Sequence, residues 1–440
     1  MSESSPVSYG TKQGAEANGQ DWSWVEGSIW TERMLTVLGN GIKGGKWFSL
    51  MDKVWRPSTL DLAWRRVAAN KGSAGVDAQS IAKFSANAEK YLGELSEALR
   101  SHNYHPQAVR RVAIDKGQGK TRPLGIPTVK DRIVQTAVKM VIEPIFENEF
   151  LPMSYGFRPC KGCKDALREV DMLVKAGYTH VVDADLAGYF DSIPQDKLLT
   201  RVSERISDGS LLAVLKSWLE QDVLEGMKRW TPISGTPQGA VISPLLANIY
   251  LHPLDHLVTG LGFRMVRYAD DFVILCKSAE EAEQALQHVR TWVAENGLTL
   301  HPEKTHVGNC LVRGEGFDFL GYRFECSRRY VRKKSAKALR DKIRSKTKRC
   351  CGKSLAMVIK DLNPMLRGWF GYFKHAYHTT FPYVDGFVRR RLRAILRKYE
   401  KRPGHGRCLA DHQRWTNAFF AKQGLYTMET ALVMACQSRC

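Results

Sequence analysis

Apolar residues along this chain recur with two periods. A spacing near 3.6 marks helices with one buried face, and strict alternation marks half-buried strands. Leu60, Trp64 and Val67 predict a helix over 58–69. Val109, Val112 and Ile114 lead into the turn chemistry of "DKGQGK", so 109–132 reads as a hairpin. "DRIVQTAVKMVIEPIFENEF" comes next as an amphipathic helix cut short at Pro144. In "HVVDADL" (180–186), Val181, Asp183 and Asp185 share one face of a strand, with Val182, Ala184 and Leu186 on the other. "YFDSIPQDKL" is a short helix-like stretch after it. "FRMVRYADDFVILC" predicts two strands around a turn at Ala269–Asp270, and "FDFLGYRF" (317–324) one more strand. The clearest helical period covers 384–399. Val384, Phe387, Val388, Leu392, Ile395, Leu396 and Tyr399 form one face, and Arg389, Arg390, Arg393 and Arg397 the other. This predicts a helix packed on one side and positive on the other.

Charge narrows the class of partner. Lys and Arg number 66 against 45 Asp and Glu, a net charge of +21. An excess of that size points to a polyanion, nucleic acid or an anionic membrane surface. No apolar run approaches the roughly 18 residues that span a bilayer. The opening "MSESSPVSYGTKQGAEANGQDW" is polar, without the apolar core of a signal peptide, and reads as a flexible tail. Nucleic acid is therefore favoured over membrane. Basic residues become densest after about residue 327, in "RRYVRKKSAKALRDKIRSKTKR". Ten cysteines include one close pair, Cys160 and Cys163, with no second ligand pair near it; His405, Cys408 and His412 are only loosely grouped. That argues for reduced thiols in a cytosolic protein and against a zinc framework. "NGIKGGKWFSL" lacks the spacing of a phosphate-binding P-loop and reads as a loop before a helix.

The unusual chemistry lies in "RYADDFVIL" (267–275), where Asp270 and Asp271 sit side by side among apolar residues. Like charges repel, and each carboxylate loses hydration on burial. A cation, a basic side chain or exposure at a turn would offset this. Asp185, at the end of its strand, is a candidate partner. Three carboxylates converging above a sheet call for divalent cations, and Mg²⁺ binds through carboxylates and substrate phosphates. Two such ions, about 3.5–4 Å apart, serve in-line phosphoryl displacement. A solvated hairpin turn, where Asp is common, is the plainer alternative.

Taken together, "YADD", "VVDADLAGYFDSI" and "SGTPQGAVISPLLANIYL" resemble a reverse transcriptase. With "ANKGSAGVD", "GKTRPLGIPTVKDRIVQ", "SYGFRPCKGCKDAL", "GLTLHPEKT", "FLGYRF" and "LNPMLRGWFGYFKHA" in order over about 60–400, the chain is similar to bacterial group II intron-encoded reverse transcriptase/maturases. The resemblance implies an α+β right-hand polymerase, fingers and palm around an antiparallel sheet, followed by an α-helical thumb or maturase domain. It divides the chain into a tail and leader (1–55), an N-terminal extension (56–108), fingers and palm (109–330), thumb (331–400) and a short DNA-binding-like tail (401–440). That tail lacks the paired cysteines and His-Asn-His set of an HNH endonuclease, as in class C-like relatives, which would borrow a primer.

Residue by residue, the resemblance implies that Asp185, Asp270 and Asp271 are catalytic, with Asp185, the Leu186 carbonyl and Asp270 holding two Mg²⁺ ions (Mn²⁺ as substitute). Lys116, Arg122, Phe190, Gln238 and Lys304 would bind the dNTP, Phe190 as a steric gate against a 2′-hydroxyl. Gly239 would allow close backbone approach beside the template, and Arg389, Arg390, Arg393 and Arg397 would contact nucleic acid. Partners would be intron RNA, an RNA template with DNA primer, target DNA and dNTPs, with no membrane, in bacterial cytoplasm. Rival readings are a splicing factor without polymerase activity, a reverse transcriptase domesticated for repair or phage defence, and an RNA-directed RNA polymerase, which Phe190 disfavours.

Overall fold

The computed structural model describes residues 21–42, 44–115, 121–350 and 352–437. It divides into two compact units. The first holds the chain through Asp171, Ala184–Leu275 and Glu280–His306; the second holds Met172–Asp183, Cys276–Ala279 and the chain from Val307. The strands are β1 (Val109–Asp115), β2 (Thr121–Ile126), β3 (His180–Asp185), β4 (Val223–Glu225), β5 (Lys228–Trp230), β6 (Arg264–Tyr268), β7 (Asp271–Cys276), β8 (His306–Asn309), β9 (Phe317–Phe319), β10 (Tyr322–Glu325) and β11 (Arg328–Val331).

In the first unit the helix Pro57–Ala69 buries Leu60, Trp64 and Val67, as their spacing predicts. It packs on the helix Val129–Glu147, whose side chains are buried almost all round. That helix does not stop at Pro144. The proline falls in its last turn, where it removes one hydrogen bond, and the Asn148 amide donates to the Pro144 carbonyl at 3.1 Å. Continuing through it buries Ile145 and Phe146.

The β1–β2 hairpin forms with Asp115 opposite Thr121; the connecting residues 116–120, and with them Lys116, lie outside the described residues. It belongs to a sheet ordered β2-β1-β4-β5, in which β1 and β4 run parallel. A second sheet has the order β6-β7-β3-β8. Here β6 and β7 pair antiparallel with Tyr268 opposite Asp271, so the turn is Ala269–Asp270, as expected. Ala269 takes φ +60°, a conformation that favours glycine.

The second unit carries the sheet β11-β10-β9 and the helices Lys333–Lys346, Leu355–Phe373 and Thr380–Tyr399. "FDFLGYRF" is two antiparallel strands rather than one. Leu320 (φ +47°) and Gly321 (φ +83°) reverse the chain between them. The fold is thus α+β with a helical C-terminal part. Among the described residues, no helix is long and apolar enough to cross a membrane.

The arginine-rich helix corrects an expectation. Its apolar face is buried through Val384, Phe387, Val388, Leu392 and Ile395, but Arg389 and Arg393 are buried too. Arg393 donates to the Trp415 carbonyl at 2.9 Å, and Arg397 binds the Asp411 carboxylate at 2.8 Å and the Pro403 carbonyl. Three of the four arginines are therefore covered or internally paired, and residues 403–417 supply the partners for two of them. Among the described residues, Arg390 alone of the four is left half-buried without an ion pair, over the Phe387 ring.

Candidate active site

Asp185 closes β3, and a single bridge between Leu186 and Leu300 fixes the chain just beyond it. The His301 amide donates to the Asp185 carbonyl and the Ala187 amide to the Thr299 carbonyl, both at 2.8 Å. The bridge uses the groups on either side of Leu186, so the Leu186 carbonyl is not spent in it. Asp270 sits in the β6–β7 turn. Burial pushes its carboxyl above the ordinary range, the neighbouring Asp185 pushes it further, and Arg122 and Lys304 oppose the rise. The strands that carry Asp185 and Asp270 are neighbours in the sheet. Lys304 donates to both Asp185 oxygens, at 3.2 and 3.1 Å. Both partners are about half exposed, so this pair adds little to stability.

The described residues hold no group of three or more acidic, histidine or cysteine side chains able to bind a metal. Asp271 begins β7, opposite Tyr268. The candidate ligands are the Asp185 and Asp270 carboxylates and the Leu186 carbonyl. Their mutual repulsion and all-oxygen character suit Mg²⁺, which takes few protein ligands and completes its shell with water and phosphate.

On the fingers side, Arg122 Nε donates to Gln238 Oε1 at 3.1 Å, and Gln238 Nε2 donates to Asp191 Oδ2 at 2.9 Å. The Gly125 amide holds the Gln238 carbonyl at 2.6 Å. Asp191, not assigned from sequence, thus orients Gln238 and through it Arg122. Gly125, Asp191 and Gln238 border a cavity of about 390 Å³ whose walls include Arg111, Trp230, Ile233 and Pro237. Gly239 has φ +111°, and a Cβ there would stand 2.5 Å from the Gly125 carbonyl oxygen. The close approach it permits in this structure is to the chain's own β2. Phe190 is buried in the helix Tyr189–Ser192, its ring near those of Tyr189 and Phe157.

Sequence reasoning also missed what holds the turn. Arg267 and Asp255 are fully buried and paired through 2.7 and 2.5 Å bonds. The same guanidinium donates to Asn248 Oδ1 at 2.9 Å and to the Ala269 carbonyl at 3.0 Å. Asn248 in turn donates to the Gly156 carbonyl at 2.8 Å. A charged residue inside an apolar strand, and Asp255 inside an apolar helix, are signals that each has a partner.

An aspartate in the β6–β7 turn, with another closing the adjacent strand β3, fits the palm of a reverse-transcriptase-type polymerase. The model for "Reverse transcriptase (RNA-dependent DNA polymerase)" matches residues 114–324, and that for "Group II intron, maturase-specific domain" matches 336–415. The chain accordingly belongs to the group II intron reverse transcriptase/maturase family, enzymes that are RNA-directed DNA polymerases. Protein YkfC of Escherichia coli K12 is 33% identical over 316 residues, 62% of this chain and 82% of that protein. The group II intron-encoded protein LtrA of Lactococcus lactis subsp. cremoris is 36% identical over 215 residues, 48% of this chain and 35% of that one. The putative COX1/OXI3 intron 2 protein of Saccharomyces cerevisiae is 26% identical over 323 residues, 60% and 37% respectively. The matched segments thus cover little more than a third of these two intron proteins. Among solved structures, a chain of a partial Cas6-RT-Cas1–Cas2 complex aligns over 58% of this chain and 43% of that one, with 26% identity and TM-score 0.36.

Proposed function

We propose that this protein copies RNA into DNA from a primer 3′-hydroxyl by two-metal nucleotidyl transfer, and that it assists splicing and retrohoming of a group II intron RNA. The observation that carries the polymerase reading is Lys304 donating to both oxygens of Asp185 at the end of β3, the strand beside β7, whose turn bears Asp270. Asp185, Asp270 and the Leu186 carbonyl would hold Mg²⁺, with Asp271 beside them. When bound, the metal supplies the charge that acidifies the 3′-hydroxyl and neutralises the leaving phosphate. Arg122, oriented by Gln238 and Asp191, draws the triphosphate towards the hairpin. Lys304 leaves Asp185 for the phosphates as the site fills. Phe190 lies under the sugar and excludes a 2′-hydroxyl by contact alone.

The RNA-binding surface of the C-terminal unit is assigned to the helix Lys333–Lys346 rather than to Thr380–Tyr399. Lys333, Lys334, Lys337, Arg344 and Lys346 are exposed on it, whereas Arg389, Arg393 and Arg397 are spent internally. Counterion release then makes binding steeply salt-dependent. The test is primer extension on an RNA template with a DNA primer and Mg²⁺. DNA synthesis that disappears in Asp270→Ala supports the reading. A folded, RNA-binding wild type that makes no DNA overturns the polymerase.

A further inference from the structure

Phe157 is a bulky aromatic in the left-handed region, at φ +61°, with 46% of its surface exposed. Such a residue is strained and gains little burial in return. Strain of this kind persists where the surroundings enforce it, and it gathers at functional sites. Here the chain is held on both sides. Before it, the Gly156 carbonyl accepts from Asn248, and any Cβ on Gly156 would collide with the Ala269 amide. After it, buried Arg158 binds the Glu147 carboxylate at 2.7 Å and the carbonyls of Leu151 and Ser154 at 2.6 and 2.8 Å. The Tyr155 amide donates to the Arg267 carbonyl at 2.8 Å, which ties the segment to β6. Residues 154–158 and the turn bearing Asp270 are thus one braced piece, and what the piece presents is the Phe157 ring.

That ring meets Phe190 edge-on, with centroids 6.4 Å apart and planes at 74°. Phe190 also meets the Tyr189 ring at 5.6 Å, and Tyr189 is pinned by its hydroxyl to the Ala247 carbonyl at 2.6 Å. Both geometries are favourable aromatic contacts. A steric gate discriminates only as far as it refuses to yield. Tyr189 is a buried neighbour of the gate ring, and Phe157 is its partly exposed one. We infer that Phe157 is a positioning residue that braces Phe190 and so sets discrimination against ribonucleotides. This rests on the reading of Phe190 as the sugar gate.

The test is single-nucleotide incorporation by the full chain on an RNA template with a DNA primer, reading the ratio of kcat/KM for dATP over ATP. Phe190→Val is expected to lower the ratio about a hundredfold, and Phe157→Leu about tenfold through faster use of ATP. Phe157→Tyr, which keeps the ring, is expected to hold the wild-type ratio. Phe157→Gly removes the ring while suiting the positive φ, so it answers the question if Phe157→Leu folds poorly. A ratio that falls in Phe190→Val but stays at wild type in both Phe157→Leu and Phe157→Gly overturns the bracing role alone. A ratio unchanged in Phe190→Val overturns the gate, and the brace with it.

Discussion

Replacing Arg267 by Met separates what the buried ion pair does for stability from what it does for the turn. Arg267→Met leaves the Asp255 carboxylate without its cation in a site with no solvent exposure. It also takes a donor from Asn248 and from the Ala269 carbonyl. Breaking one side of such a pair costs about 3–5 kcal/mol. That is a large share of the roughly 5–15 kcal/mol that holds a domain folded. The companion variant Arg267→Met/Asp255→Leu removes both charges and leaves an apolar pair of similar volume. Urea denaturation should show most of the lost stability returning, because a buried ion pair replaced as a unit is close to neutral. Polymerase activity should not return with it. The Ala269 carbonyl still lacks the hand that held it, and misplacement of a catalytic group by about 1 Å costs on the order of a hundredfold in rate. Primer extension on the refolded double variant is the deciding assay. Wild-type stability together with wild-type activity would refute the claim that Arg267 positions Asp270. A single variant that loses less than about 1 kcal/mol would refute the energetic half.

Asp270→Asn should lower activity at least about a hundredfold yet raise the melting temperature of the metal-free protein. Because the folded carboxyl is raised, the wild type loses stability as pH climbs from the ordinary carboxylate range through the raised value. The gain from Asn is therefore full at neutral pH and fades in acid, and melting curves at pH 4 and pH 7.5 check the sign. Gly239→Ala, driven against the Gly125 carbonyl at positive φ, should cost about 1–3 kcal/mol in denaturant unfolding. Lys334→Gln with Lys337→Gln should reduce the salt slope of RNA binding by about 1–2, whereas Arg393→Met should leave that slope unchanged and lower the melting temperature instead.

The hairpin around Ala269–Asp270 was legible because its signal is local: an apolar run, two residues, another apolar run. The helix over 58–69 was legible for the same reason. The fate of the arginines was not. Periodicity shows that Arg389, Arg393 and Arg397 lie away from one apolar face, but it cannot show that Trp415 and Asp411, up to 22 residues on, cover the opposite face. The pairing of Lys304 with Asp185 spans 119 positions and has no local signature at all. Residues 317–324 carried a warning, since Gly321 inside a strand pattern marks a turn or bulge. Arg267 within "RYADD" is a charge in an apolar strand, a local signal of a buried partner, but its partner Asp255 lies in a different element.

The covering of the Thr380–Tyr399 helix bears on how shortened forms of this protein would behave in the hand. A chain ended near residue 400 would be stripped of Asp411, Trp415 and the Pro403 carbonyl, and would unveil Arg393 and Arg397 on a surface never meant for solvent. It would cling to any RNA or heparin column and co-purify with cellular nucleic acid. A shortened preparation of that sort would pass for the better RNA binder while its grip reported nothing about the intron.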